Sequence, residues 1–275
     1  MIRLIALDLD GTLAIKNHGV STPTRRALEA LHNDGVEVVI ATGRRYRTTR
    51  FVIDNLGFEV FAVCNGGALV KTPEQGTLFS DDFTVTPIVE LARTMNLTVF
   101  AQRDPHEHGG TDFIIDTGTP WNADTRMHFE RNRDWCEEGN LLTSTEHYLG
   151  CGIMGTESEL HALAAELEHR APEFKAIIVP HTIGENYYCE IAPRHIDKWH
   201  GLAALRDHFG LHAENICAVG DQLNDMAMIT AAGHGIAMAN AHADLKAAAD
   251  FICGHNAEDG LVDAVAYVRE FNARQ

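Results

Sequence analysis

The sequence predicts an α/β protein, a parallel-sheet core with an α+β domain inserted into it, and three observations carry that prediction. Short, almost continuously apolar runs recur at residues 2–7, 36–41 and 216–219, each followed at once by a polar cluster. Runs of this kind suit strands buried on both faces of a parallel sheet. The first runs alternate with helical stretches in a strand–helix–strand–helix–strand rhythm, which is expected to wind right-handed. That rhythm stops near Asp82 and returns near Ala192, dividing the 275 residues into a discontinuous core, 1–81 with 192–275, and an inserted unit, 82–191.

In chain order, residues 2–7 are the opening strand and residues 14–20 a loop. Ser21 and Thr22 cap a helix that carries Pro23 in its first turn and apolar Ala27, Leu28 and Leu31 on one side; Gly35 ends it. A strand at 36–41, a helix to about Leu56 and a strand at 58–63 follow. Asn65-Gly66-Gly67 marks a turn before 68–70, and a hairpin through 76–79 closes the first segment. In the inserted unit the pattern predicts helices at 87–95, 124–133 and 157–169, and strands at 97–102, 112–117, 147–154, 174–179 and 187–191. Neighbouring strands joined by short links fit an antiparallel sheet covered on one face by helices. Beyond Ala192, a helix from Lys198 to about Phe209 leads to strands at 216–219, 235–238 and 250–252, with helices between them and a last helix from about Gly260.

Composition narrows the function classes. Hydrophobic content of 45% and charged content of 22% are ordinary for a globular protein. No window approaches the roughly 20 apolar residues of a membrane span, and no secretory leader pattern opens the chain, so a cytoplasmic protein without membrane association is expected. A net charge of −17 repels phosphate backbones and argues against a nucleic-acid partner. An anionic small substrate would need local positive charge. Six dispersed cysteines with no Cys-x-x-Cys pair point to buried thiols in a reducing compartment. His106-Glu107-His108, in a glycine-flanked loop, reads as solvated surface.

Four polar clusters lie just past a buried strand or at the opening of a helix: Asp8/Asp10/Thr12, Thr42/Gly43/Arg44, Lys198, and Asp221/Asn224/Asp225. In a parallel sheet all strand ends of one polarity share one edge, so clusters distant in sequence can converge there. Carboxylates with a hydroxyl and one lysine suit a divalent cation and a phosphate group. Asp8-Leu9-Asp10-Gly11-Thr12-Leu13, Thr42-Gly43-Arg44, Lys198 and Gly220-Asp221-x-x-Asn224-Asp225 together resemble the four ordered motifs of the haloacid dehalogenase-like superfamily, over nearly the whole chain. Only 34 positions separate Asp8 from Thr42, whereas 156 separate Thr42 from Lys198, so the extra domain falls between the second and third motifs. With Cys64-Asn65-Gly66-Gly67-Ala68, Glu190-Ile191-Ala192-Pro193, Ala239-Asn240-Ala241 and Glu258-Asp259-Gly260-Leu261, the chain is similar to the Cof-like sugar-phosphatase branch.

The resemblance implies a Rossmann-like core with an α/β cap that selects substrate, and a Mg²⁺-dependent phosphatase acting on a small phosphorylated metabolite, a sugar phosphate above all. It implies Asp8 as nucleophile, forming an aspartyl-phosphate, and Asp10 as the acid that protonates the leaving oxygen and then activates water. Mg²⁺ would be held by Asp8, the Asp10 carbonyl, Asp221 and Asp225, the last directly or through water. Thr12, Thr42, Gly43, Arg44, Lys198 and Asn224 would serve the phosphate or substrate. A phosphomutase and a phosphate-binding regulator without turnover are the alternatives. Two departures from the pattern stand out: Trp199 where glycine usually follows the lysine, and Gln222 in place of a common small residue. Tyr187, Tyr188, His181, Trp121 and Arg126 are candidates for selecting substrate, with packing or surface roles as the competing reading; oligomeric state is not readable.

Overall fold

The computed structural model describes residues 1–15, 19–105, 110–180 and 186–275. His106, Glu107, His108 and His181 lie outside the described residues.

The chain opens with β1 (Leu4–Leu7), every residue of it buried. Helix α1 (Thr22–Asn33) starts as its sequence demands: the Ser21 hydroxyl accepts the Thr24 N–H at 3.2 Å, and Pro23 occupies the first turn, where its missing N–H has no intrahelical acceptor. Its Thr24, Leu28 and Leu31, at helical spacing, form the buried face. Then come β2 (Glu37–Ala41), α2 (Tyr46–Ile53), β3 (Phe61–Cys64), β4 (Leu69–Lys71) and β5 (Thr77–Ser80). The middle of the chain gives α3 (Thr86–Thr94), β6 (Val99–Gln102), β7 (Phe113–Asp116), α4 (Ala123–Arg131), β8 (Cys136–Gly139), β9 (Gly150–Gly155), α5 (Glu157–Arg170), β10 (Phe174–Pro180) and β11 (Tyr187–Pro193). The last part gives α6 (Lys198–His208), β12 (Ile216–Gly220), α7 (Met226–Ala231), β13 (His234–Ala237), α8 (Ala243–Ala248), β14 (Phe251–Ile252) and α9 (Leu261–Ala273).

The described residues divide into two compact units, Met1–Phe79 with Ile196–Gln275, and Ser80–His195. These boundaries differ from the expected 82 and 192 because β5 ends at Ser80 and the short link from Arg194 to Asp197 leads straight to α6.

The first unit is an eight-stranded sheet in the order β14-β13-β12-β1-β2-β3-β4-β5. From β14 to β3 all pairs are parallel, and β4 turns back antiparallel on β3. Strand β1 is central, with Leu7 in register with Ile40 on one side and Val219 on the other. The residues that leave these three neighbouring strands are Asp8, Thr42 and Asp221, so one sheet edge collects them. The core beneath is aliphatic, from Leu4, Ile5 and Leu7 to Val219 and Ile236, and Trp199 packs against it. Among the described residues no helix is long and apolar enough to cross a membrane.

The second unit is a six-stranded sheet in the order β10-β11-β9-β6-β7-β8. It is antiparallel except for β8, which runs parallel to β7. The side-chain alternation of its strands gives it two apolar faces. Val99, Ile114, Ile153 and Cys189 join the helix residues Ile88, Val89, Leu160 and Leu163 on one face. Phe100, Phe113, Ile115 and Met154 lie on the other, where Phe129 of α4 packs. Helices therefore contact both faces, not one as expected, because α4 carries an aromatic side chain to the second. All six cysteines are buried free thiols.

Candidate active site

The site is built at the edge where β1, β2 and β12 end. Asp8 is buried, its N–H donating to the Val219 carbonyl at 2.9 Å, and the chain then turns sharply through Gly11. Gly11 has φ +88°, and a Cβ there would stand 2.3 Å from Asp221 Oδ2, so the close approach of the two loops requires glycine. Asn240 holds the turn from outside, donating its amide to the Gly11 carbonyl at 2.8 Å. The second loop is set by Thr42, whose N–H donates to Val63 and whose hydroxyl accepts the Arg44 N–H at 3.1 Å.

Lys198 stands at the first turn of α6, capped by the Asp197 carboxylate, which accepts the His200 N–H at 2.9 Å. The Asn65-Gly66-Gly67 turn fixes where that helix begins. Gly67 has φ +116°, and a Cβ on it would lie 1.8 Å from the Asp197 carbonyl oxygen. Lys198 is buried, and its ammonium donates to Asp8 Oδ1 and Asp225 Oδ1, each at 2.5 Å.

Asp225 is the anchor of the fourth loop. Its Oδ1 takes the Lys198 ammonium, and its Oδ2 accepts the N–H groups of Asp221 at 2.9 Å and Gln222 at 3.0 Å. Both oxygens are thus engaged by this protein, although one still lies within 4.8 Å of carboxylate oxygens of Asp8 and Asp221. Thr12 is buried, and its hydroxyl donates to Asp221 Oδ1 at 3.5 Å. The Gly11 turn directs Thr12, expected from the motif to serve the phosphate, toward the β12 loop, where it reaches Asp221.

Beside these groups lies a cavity of about 250 Å³, lined by Asp8, Asp10, Asp221, Gln222 and Asn224 with Thr42, Gly43 and Arg44. Of the residues named from sequence, Thr12, Lys198 and Asp225 do not reach its wall; Gln222, noted only as a departure, does. Asp10 is exposed, and the Arg44 guanidinium grips its carboxylate in a fork: Nε donates to Oδ2 at 2.7 Å and Nη2 to Oδ1. That pairing is not visible in sequence, where 34 positions separate the two residues.

Charge is unbalanced here. Three buried carboxylates, Asp8, Asp221 and Asp225, stand beside one buried ammonium, which contacts Asp8 and Asp225. Burial, with the Asp225 and Asp221 charges adding to it against Lys198, pushes the Asp8 carboxyl up to about 8. Burial and Asp225 likewise raise Asp221. Burial alone would lower Lys198, but Asp8 and Asp225 raise it above the ordinary lysine value, so it stays charged. A donor set made only of oxygens, short of positive charge, fits a hard divalent cation, which would take the place of the protons the carboxylates otherwise retain.

Residues 5–265 match the family model of haloacid dehalogenase-like hydrolases. The chain is 28% identical to the 5-amino-6-(5-phospho-D-ribitylamino)uracil phosphatase YcsE of Bacillus subtilis, over 97% of this chain and 95% of that one. It is also 28% identical to the HMP-PP phosphatase of Yersinia pseudotuberculosis, over 90% and 87% of the two chains. A haloacid dehalogenase-like hydrolase from Bacteroides thetaiotaomicron superposes with a TM-score of 0.78 at 28% identity, covering 98% of this chain and all of that one. With motifs, strand order and family model in agreement over most of its length, the chain belongs to the haloacid dehalogenase-like hydrolases.

Proposed function

We infer that this hydrolase is a Mg²⁺-dependent phosphatase that releases phosphate from a small phosphorylated metabolite, a sugar phosphate first among the candidates, through an aspartyl-phosphate on Asp8. Family and named relatives support phosphatase activity on small phosphorylated metabolites. The observation that carries the metal and the mechanism is the surplus of buried carboxylate over ammonium beside an open cavity.

In this reading Asp8 and Asp221 hold the cation with the Asp10 carbonyl, and Asp225 holds Lys198 and the loop in place. The cation, when bound, neutralises phosphate charge and keeps Asp8 deprotonated. Asp8 attacks phosphorus; the leaving oxygen takes its proton from Asp10, which then activates water on the acyl-phosphate. Lys198, the Thr42 hydroxyl, the Gly43 N–H and Asn224 steady the phosphoryl oxygens, since phosphoryl transfer is mostly positioning and charge stabilisation. Arg44 occupies both oxygens of Asp10 in the resting geometry, and an incoming phosphoryl group offers the guanidinium another anion, freeing Asp10 to work. The unit Ser80–His195 supplies the substrate-selecting surface.

Phosphate release from a panel of sugar phosphates, nucleotides and cofactor phosphates, with Mg²⁺ and with EDTA, tests this. Metal-dependent, multi-turnover release concentrated on a few members is expected. Release indifferent to EDTA would remove the metal role, and Mg²⁺ binding with no release from any member would point to a mutase or a regulator without turnover.

A further inference from the structure

We propose that Gln222 is a positioning residue for the cation: its side-chain amide fixes the Asp221 carboxylate in the orientation that metal binding requires. The inference rests on the metal-dependent reading above and extends it to a residue the motif pattern leaves open.

Three observations meet at this side chain. Gln222 Nε2 donates to Asp221 Oδ2 at 3.2 Å, while Thr12 approaches the other oxygen, Oδ1, at 3.5 Å from the opposite loop. Asp221 is therefore held from two sides, and its backbone is held as well, its carbonyl accepting the His242 N–H at 2.8 Å. Gln222 is exposed, but its amide is tied to Asp221. Its backbone opens the short turn Leu223–Asp225: the Gln222 N–H donates to Asp225 Oδ2 at 3.0 Å, and its carbonyl accepts the Asp225 N–H at 2.9 Å. And it lines the same cavity as Asp8 and Asp221.

A small residue at this position could begin the turn but could not reach Asp221. The extra length of glutamine lets the side chain reach the ligand carboxylate while the backbone of the same residue serves the turn. Each carboxylate oxygen has more than one lone-pair direction, so a donor on one of them orients the group without using up its capacity for a cation. Groups that orient ligand carboxylates in this way typically contribute about 10- to 100-fold in metal affinity.

The test is calorimetric titration of Mg²⁺ into the full chain and into Gln222→Asn and Gln222→Met, with the metal-free melting temperature of each. Asparagine is a good capping residue but one methylene too short to reach Asp221; methionine keeps the length and loses the amide. Both variants are expected to bind Mg²⁺ about tenfold or more weakly, and Gln222→Asn to melt where the parent does. Affinities within twofold of the parent in both variants would overturn the proposal. So would a loss of affinity matched by an equal loss of metal-free stability in both, which is the signature of a purely structural side chain. If the parent chain binds no Mg²⁺ and releases no phosphate, the phosphatase reading itself fails; a parent that does both while Gln222→Asn matches it removes only the role given to Gln222.

Discussion

Each unit of this protein buries an acidic side chain against a cation, and the two arrangements differ in one respect. In the second unit, fully buried Asp116 faces Arg93. Arg93 Nε donates to Oδ2 at 2.9 Å and Nη2 to Oδ1 at 2.6 Å; the N–H groups of Gly118 and Leu141 complete the set. One carboxylate meets one guanidinium and every lone pair has a donor. In the first unit, Asp8 and Asp225 share Lys198, and Asp221 adds a third carboxylate within 4.8 Å of theirs. Buried charge that is balanced and saturated holds α3 to β7 and the segment after β8; the buried charge left in surplus lies where a cation is proposed to bind. The difference separates architecture from chemistry within one chain.

The largest effect that could break this contrast is at Asp8. Asp8→Asn is expected to lower phosphate release by about a thousandfold or more while leaving the circular dichroism of the fold unchanged. Retained turnover would remove Asp8 as nucleophile.

The next concerns the other unit. Arg93→Met strands the Asp116 carboxylate without its counter-ion, which typically costs about 3–5 kcal/mol for a buried pair; because Arg93 is partly exposed, the low end is expected. Denaturant unfolding measures it, and Mg²⁺ affinity should stay within twofold of the parent. A stability change near zero with a large loss of Mg²⁺ binding would invert the assignment.

A third, smaller effect follows from the sign of the Asp8 shift. Its carboxyl is raised from an ordinary 3.8 to about 8, so the metal-free fold binds that proton more tightly than the unfolded chain does. The stability this proton contributes is fully present below pH 3.8 and is lost as pH rises through about 8. Binding of Mg²⁺ at Asp8 must displace the proton below that pH, so apparent affinity falls as the solution is acidified, by up to about tenfold per unit. Mg²⁺ should therefore raise the melting temperature more at pH 8 than at pH 6. An equal rise at both would contradict the shift.

The smallest effect is chemical silence. Burial pushes Cys189 and Cys253 up to about 12 and raises Cys151 and Cys217 as well; with Cys64 and Cys136 also buried, the folded chain at pH 8 should react with a thiol reagent only after denaturant is added.

The core sheet and the gathering of the site residues could be read before any coordinates; the Arg93–Asp116 pair could not. Continuous apolar runs ending in Asp8, Thr42 and Asp221 announce a parallel sheet and its functional edge, because burial on both faces leaves no other use for a polar residue at that point. Ser21 with Pro23 announces the start of α1 by cap chemistry that is local in sequence. Strand β8 was not legible: Cys136-Glu137-Glu138-Gly139 is an edge strand with one buried side chain and two exposed glutamates, so neither alternation nor an apolar run marks it. Nor was the way the site residues divide their work. Asp225 gives both oxygens to Lys198 and the loop, Thr12 turns to Asp221, and Arg44 closes on Asp10. These are choices of partner among polar groups brought together by folding, and motif spacing fixes the gathering without fixing the partners.

On the function proposed above, the surplus of buried carboxylate at the β1–β12 edge exists to hold a divalent cation. Calorimetric titration of Mg²⁺ into the parent chain and into Asp221→Asn at pH 7.5 tests it most directly. One Mg²⁺ per chain in the parent, released with proton uptake on EDTA addition and lost in Asp221→Asn, is the result predicted. Failure of the parent to bind Mg²⁺, or equal binding by both proteins, would contradict it.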